Sequence, residues 1–322
     1  RVVGVAQFPD ADIEQAQWIN DRRLLFRARS AEPGQDGAFT FVAIDADGKD
    51  PKEVRLASAD IRLLRDGSDE IIGFVPSVRG SVRDIRTRTP LRIDTRTDRR
   101  REAVVDPPRY AADWVFDAQG VPVAVHAVEW DGDTEVLWRD PATGKWKEID
   151  RYTARDRDRI LVSPLAALPQ GRLLVRARRD DPARTAALFA FDPRERRLDP
   201  APLVALAGYD LTGGALVDPR GGELYGATYV SDAPGVAWLH PELAALQKRI
   251  DTLLPETNNR FVCEACTSQR WFVVASGTDR HPDVYHLFDR EAQGAAALSF
   301  LGPSRAVPDR RRLAARSLHH VP

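Results

Sequence analysis

The 322-residue chain carries 47 Lys and Arg against 48 Asp and Glu, a net charge of -1, with 43% apolar residues and no methionine. Nothing in that balance points to nucleic acid, an anionic membrane or a polyacidic substrate, and no apolar run approaches the roughly 18 residues of a membrane span. No signal-peptide pattern opens the chain, which enters directly into RVVGVAQF and reads as an internal piece of a longer polypeptide.

In chain order, a polar turn followed at once by an apolar strand recurs six times. The segments are WINDRRLLF from Trp18, LLRDGSDEIIGFV ending at Val75, WVFDAQGVPVAV from Trp114, ALPQGRLLV ending at Val175, ALVDPRGGELYGA ending at Ala227, and CTSQRWFVVA ending at Ala275. The first residue after each turn is Leu24, Ile71, Val121, Arg172, Glu223 and Trp271, at intervals of 47, 50, 51, 51 and 48. A second marker keeps the same period: a short strand ending in Asp45, Asp94, Asp140, Asp192 and Asp289, with His240 standing in the fifth place. Repeats of this length are solenoid or propeller units.

Within each unit the runs are short, rich in Val, Leu, Phe, Trp and Tyr, and separated by Gly, Pro and Asp turns, the grammar of strands and hairpins. In the first unit the strands fall near residues 11–19, 23–30, 37–45 and 52–57. A lone four-stranded sheet leaves an apolar face uncovered, and stacking several sheets buries it. The expected fold is therefore all-β, a β-propeller of four-stranded antiparallel blades. Its blades lie at about 9–57, 58–103, 104–151, 152–204, 205–255 and 256–303, inside a propeller domain of 1–303. RVVGVAQF reads as the remnant of a seventh blade. HPELAALQKRIDTLLP is the exception: Leu243, Leu246, Ile250 and Leu253 recur at helical spacing behind Pro241, which predicts a short helix over 241–253.

These segments, taken in order, carry a family resemblance. WINDRRLLF, IDADG, RIDTRTDRR, WVFDAQGVPVAV, WRDPATGKWKEI, GYDLTGGALVDP, WLHPELAALQKRIDTLLPETNN and VASGTDRHPDVYHLFD together resemble the N-terminal propeller of bacterial prolyl oligopeptidase-family serine peptidases, of acylaminoacyl or dipeptidyl peptidase type. The likeness runs over nearly the whole chain. Residues 275–289 look like the last blade before the family's α/β-hydrolase domain, and 304–322 like the connector toward it. The resemblance implies a propeller that gates peptide access to the hydrolase and shapes its rim, with the hydrolase domain of the same polypeptide and peptide substrates as partners. It implies neither nucleic acid nor membrane, and no cofactor. Family habit points to the periplasm over the cytoplasm.

The family's G-x-S-x-G nucleophile elbow is missing: the nearest match, GPSRA at Gly302–Ala306, ends in Ala, so no catalytic residue carries over and the chain alone is not expected to be an enzyme. A free-standing propeller that binds a protein partner is the rival reading. Cys263 and Cys266 form a lone C-x-x-C without a second ligand pair or a helix start. They read as structural thiols, or as a local disulfide where a turn brings them together. The histidines His126, His240, His281, His286, His319 and His320 show no metal spacing, although His281 and His286 flank a strand start. Acidic loops such as DGDTE lack a calcium ladder. The recurring tryptophans, Trp18, Trp114, Trp130, Trp138, Trp146, Trp238 and Trp271, argue for packing between blades.

Overall fold

The computed structural model describes residues 11–30, 39–56, 60–64, 66–79, 82–153, 155, 162–178, 185–218, 220–263 and 265–304. The expected remnant strand RVVGVAQF, and the connector beyond Ser304, lie outside the described residues.

Among the described residues, six antiparallel sheets follow one another along the chain, five of four strands and one of three. Sheet one holds β1 (Ala11–Asn20), β2 (Arg23–Ser30), β3 (Phe39–Asp45) and β4 (Lys52–Val54). Sheet two holds β5 (Ile61–Leu63), β6 (Glu70–Arg79), β7 (Val82–Asp94) and β8 (Arg100–Glu102). Sheet three holds β9 (Ala111–Phe116), β10 (Pro122–Val128), β11 (Thr134–Arg139) and β12 (Trp146–Tyr152). Sheet four holds β13 (Ser163–Ala167), β14 (Leu173–Arg178), β15 (Ala186–Asp192) and β16 (Arg197–Leu198). Sheet five holds β17 (Ala215–Val217), β18 (Leu224–Val230) and β19 (Pro234–Trp238), and is followed by α1 (Pro241–Leu253). Sheet six holds β20 (Asn258–Val262), β21 (Trp271–Thr278), β22 (His281–Asp289) and β23 (Leu298–Pro303). In every sheet the spatial order is the chain order, so each is a simple meander. The fold class is the β-propeller.

The recurring acids are turn formers. At the end of the third strand the Asp amide closes the hairpin: Asp45 N–H donates to Lys49 O (3.0 Å), Asp94 to Arg99 O (2.9 Å) and Asp140 to Lys145 O (2.9 Å). The carboxylate then accepts from the amide two residues on, Arg96 onto Asp94 (2.8 Å), Ala142 onto Asp140 (2.9 Å) and Glu291 onto Asp289 (3.0 Å). An Asp at that place supplies a turn the backbone cannot complete alone. In the fifth unit the acid is replaced by His240, which makes no side-chain cap and leads through Pro241 into α1. The four-strand expectation fails there among the described residues: α1 follows β19 directly, and sheet five has the three strands β17, β18 and β19.

Several of these carboxylates are also held ionised. Arg96 and then Arg23 hold Asp45 below the ordinary aspartate range, as do Lys147 and the Ala142 amide for Asp140, and Arg270 for Asp289. Because the folded pKa lies below the unfolded value of about 3.9, their contribution to stability is complete above that pH and disappears as pH falls through the lower folded values. The urea midpoint is therefore expected to be flat from pH 7 to about 5 and to fall below about pH 4, less steeply in Asp140→Asn and Asp289→Asn. A midpoint indifferent to pH down to about 3 would remove these turns from the stability account.

The chain forms two compact units, Arg1–Ala167 with Pro193–Arg196, and Leu168–Asp192 with Arg197–Pro322. In the first, sheets one and two pack through Ile19, Leu25, Phe41, Ala43, Val54, Ile71 and Ile93. Over that apolar layer lies a buried polar lock. Arg23, fully buried, donates from Nε to Thr95 Oγ1 (3.0 Å), from Nη2 to Thr95 O (2.9 Å) and from Nη1 to Asp45 Oδ1 (2.8 Å). Arg96 spans Asp45 and Asp69, and Asn20 reaches Asp69 and the Ser68 carbonyl. Sheets two and three meet at Leu64, Ile72 and Phe116, with the Trp114 indole donating to Arg88 O (2.7 Å).

In the second unit, α1 presents Leu243, Leu246 and Ile250 to a core of Tyr225, Phe261, Phe272, Val274 and Phe288. The helix thus covers the apolar side of sheet six. Phe261, Phe272 and Phe288 pack edge to face at 5.5 and 6.4 Å, and Arg249 lies over Phe288 at 5.0 Å while donating to Arg290 O (2.8 Å). Among the described residues no helix is long and apolar enough to cross a membrane.

Candidate functional site

One candidate is a cavity of about 500 Å³ between sheets five and six, walled by Leu216, Tyr225, Tyr229, Val236, Trp238 and Phe261. Trp238 lies parallel to Phe261, with ring centroids 4.7 Å apart and planes 8° from parallel. The helix fixes that orientation: the Trp238 indole donates to Gln247 Oε1 (3.3 Å), and Gln247 Nε2 donates to Asn259 O (2.9 Å). Tyr229 can lie flat on the neighbouring strand only because residue 235 is glycine, where a Cβ would stand 2.4 Å from the ring.

The rim is polar. Arg260 lines the cavity and is held there by Asp283 Oδ2 (2.7 Å) and Asn258 Oδ1 (3.0 Å). Beyond Arg260 and Pro234 a second hollow of about 360 Å³ is lined by Asp232, Asn258, Asp279 and Asp283. Hydrogen bonds from the Ser231 hydroxyl, from its own amide and from the Ala233 amide hold Asp232 below the ordinary aspartate range. An apolar chamber with a few placed polar groups at its mouth is the form of a binding site. It contains no serine or cysteine thiol set against a base.

The residues singled out from sequence fall as follows. Cys263 and Cys266 line the same cavity and are joined as a disulfide, their Cα atoms 5.0 Å apart. The required bend is present: β20 stops at Val262, and Ser268 and Gln269 both donate to Ala265 O (3.0 and 2.9 Å). His281 and His286 do not flank a strand start; both lie within β22. Five residue steps along the extended strand put them roughly 17 Å apart. His281 Nδ1 sits 2.8 Å from Pro282 O, while His286 meets Phe300 edge to face and is lowered in pKa by burial. Burial likewise pushes His126 down. Among the described residues no group of three or more His, Cys, Asp or Glu side chains could hold a metal ion. His319 and His320 lie outside the described residues; Ser304, which follows β23, donates its amide to Asp283 O (2.8 Å).

The tryptophans divide. Trp114, Trp138, Trp146 and Trp238 pack, but Trp18, Trp130 and Trp271 are exposed, Trp130 to 80% at a hairpin tip. Recurrence at equivalent positions therefore overstated burial. Sequence reasoning missed Arg260, Asp283 and the cavity itself, since the two partners come from different strands and only the β20–β22 arrangement brings them together.

The sequence matches no protein-family model and no curated protein. Solved structures do resemble it. A structure from a study of two prolyl endopeptidases aligns with a TM-score of 0.52 at 13% identity, over 92% of this chain and 43% of that one. Prolyl oligopeptidase B from Galerina marginata, a variant bound to a 25-residue macrocyclization substrate, aligns with a TM-score of 0.50 at 10% identity, over 94% and 44%. TolB from Acinetobacter baumannii aligns with a TM-score of 0.42 at 13% identity, over 85% and 62%. At these identities the likeness to the two peptidases is one of fold. The chain spans less than half the length of the two peptidases.

Proposed function

We propose that this chain is the non-catalytic propeller of a prolyl oligopeptidase-type serine peptidase, admitting peptides to an active site carried by an α/β-hydrolase domain of the same polypeptide. In this reading residues 304–322 lead toward that domain. The observation that supports it most is the asymmetry of coverage: the likeness takes in 92% of this chain but 43% of the prolyl endopeptidase. The family-ordered turn motifs point the same way, and the chain holds no G-x-S-x-G nucleophile of its own. What the described residues supply is a scaffold of sheets joined by polar turns, with an apolar chamber between sheets five and six.

The test is to read the gene beyond Pro322 and to express the extended product. A following G-x-S-x-G segment, and peptide hydrolysis blocked by a serine-directed reagent, is the expected result. A stop codon, or a longer product inert toward short peptides, overturns the reading and leaves a free-standing binding scaffold.

A further inference from the structure

Sheet five differs from the other five in stopping at its third strand. Its outer edge, β19, has no strand partner among the described residues, and an unpaired edge is a template for another chain. Register decides what that edge offers. Thr228 N–H donates away from β19, to Gly214 O on the far side (2.9 Å), while Leu239 N–H donates inward to Tyr225 O (2.8 Å). Since antiparallel pairs alternate between bonded and non-bonded, Ala227↔Ala237 and Tyr229↔Gly235 are the bonded pairs, and Thr228↔Val236 and Gly226↔Trp238 are not. Val236 therefore turns its N–H and C=O outward, on an edge whose next outward carbonyl, Pro234 O, already accepts from Asn258 Nδ2. Its side chain lines the 500 Å³ cavity.

We propose that β19 receives an extended peptide segment as a fourth, antiparallel strand, with one apolar residue of that peptide seated in the cavity. The residue opposite Val236 makes both backbone hydrogen bonds and shares a sheet face with Val236, so its side chain enters the chamber of Leu216, Trp238 and Phe261. It cannot be proline, which has no N–H to give. Direction sets the next contact. In an antiparallel addition the peptide residue two positions further on stands opposite Pro234, the residue shared with the second hollow, where Asp232, Asp279 and Asp283 oppose the single cation Arg260. The preferred sequence is an aromatic or branched apolar residue, any residue, then Lys or Arg. The binding needs no hydrolase domain and stands apart from the peptidase reading.

The experiment is fluorescence anisotropy on the 322-residue chain with a fluorescein-labelled Ser-Val-Phe-Val-Lys-Ser peptide. Saturable binding is expected, weakened about tenfold when the Phe nitrogen is methylated, in line with the one lost N–H hydrogen bond to Val236 O and the methyl group set against the edge. Methylating the following Val, whose N–H points away from the sheet, is expected to change affinity less than about twofold. Replacing the Lys by Glu weakens binding, the more so at low salt. Val236→Pro deletes an N–H that sheet five does not use internally, and proline is tolerated on edge strands, so the variant is expected to keep its circular dichroism and lose binding. No saturable binding, equal effects of the two methylations, or a folded Val236→Pro that binds like the wild type would each overturn the proposal. Should Val236→Pro not fold, the methylation pair decides by itself.

Discussion

Arg23→Leu is expected to lower the unfolding free energy by about 3 kcal/mol, the lower end of what breaking a buried ion pair costs. Arg23 is fully buried, and it is the one group that satisfies the Thr95 carbonyl, the Thr95 hydroxyl and one oxygen of Asp45 together. Leucine fills part of the volume but leaves the two Thr95 oxygens inside without the donor that Arg23 supplied, which is the expensive half of a hydrogen bond. The loss stays at the low end because Arg96 remains on Asp45 and keeps that carboxylate paired. Arg23→Lys is expected to recover little, since one ammonium cannot reproduce a fork that reaches three acceptors. Urea denaturation followed by circular dichroism reads the effect. A change under about 0.5 kcal/mol, the size of an ordinary surface substitution, would show that the lock adds nothing to packing.

Phe288→Ala is expected to cost about 3–5 kcal/mol, the range for truncating a buried aromatic. Phe288 is fully buried on β22, against Phe272 and beneath the Arg249 guanidinium. Truncation opens a void where α1 meets sheet six, and removes the ring over which Arg249 reaches to Arg290 O. The surrounding strands are tied by their ladder and cannot collapse inward to fill it. The measurement is the urea midpoint together with the near-ultraviolet dichroism of the Trp238–Phe261 stack. Phe288→Leu should lose less than half as much, because it retains most of the apolar volume. Equal losses for Leu and Ala would mean that the ring contacts, rather than the void, carry the effect.

Much of the fold was legible in one dimension. Strand positions in the first unit agree with β1 to β3 within two residues, because alternation and turn residues are local signals. The Asp marker was legible as a position before its reason was known, and the reason is itself local: one carboxylate, two residues from the amide it caps. The substitution of His240 for that acid was also visible. Its consequence, a missing fourth strand, went unread, since helical spacing over 241–253 says that a helix forms and not what it displaces.

What the sequence determined by itself, then, was the repeating unit, its turns, the helix and the want of a G-x-S-x-G segment, all properties carried by neighbours in the chain. Tertiary structure alone decided the buried Arg23, whose partner Thr95 is 72 residues away, and the rim pair of Arg260 and Asp283, 23 residues apart. It also decided the open edge at Val236 and the cavity behind it. Periodicity specifies which face of a strand is apolar, but not which partner covers that face or whether any does. That depends on contacts between distant segments, which form only when the sheets pack.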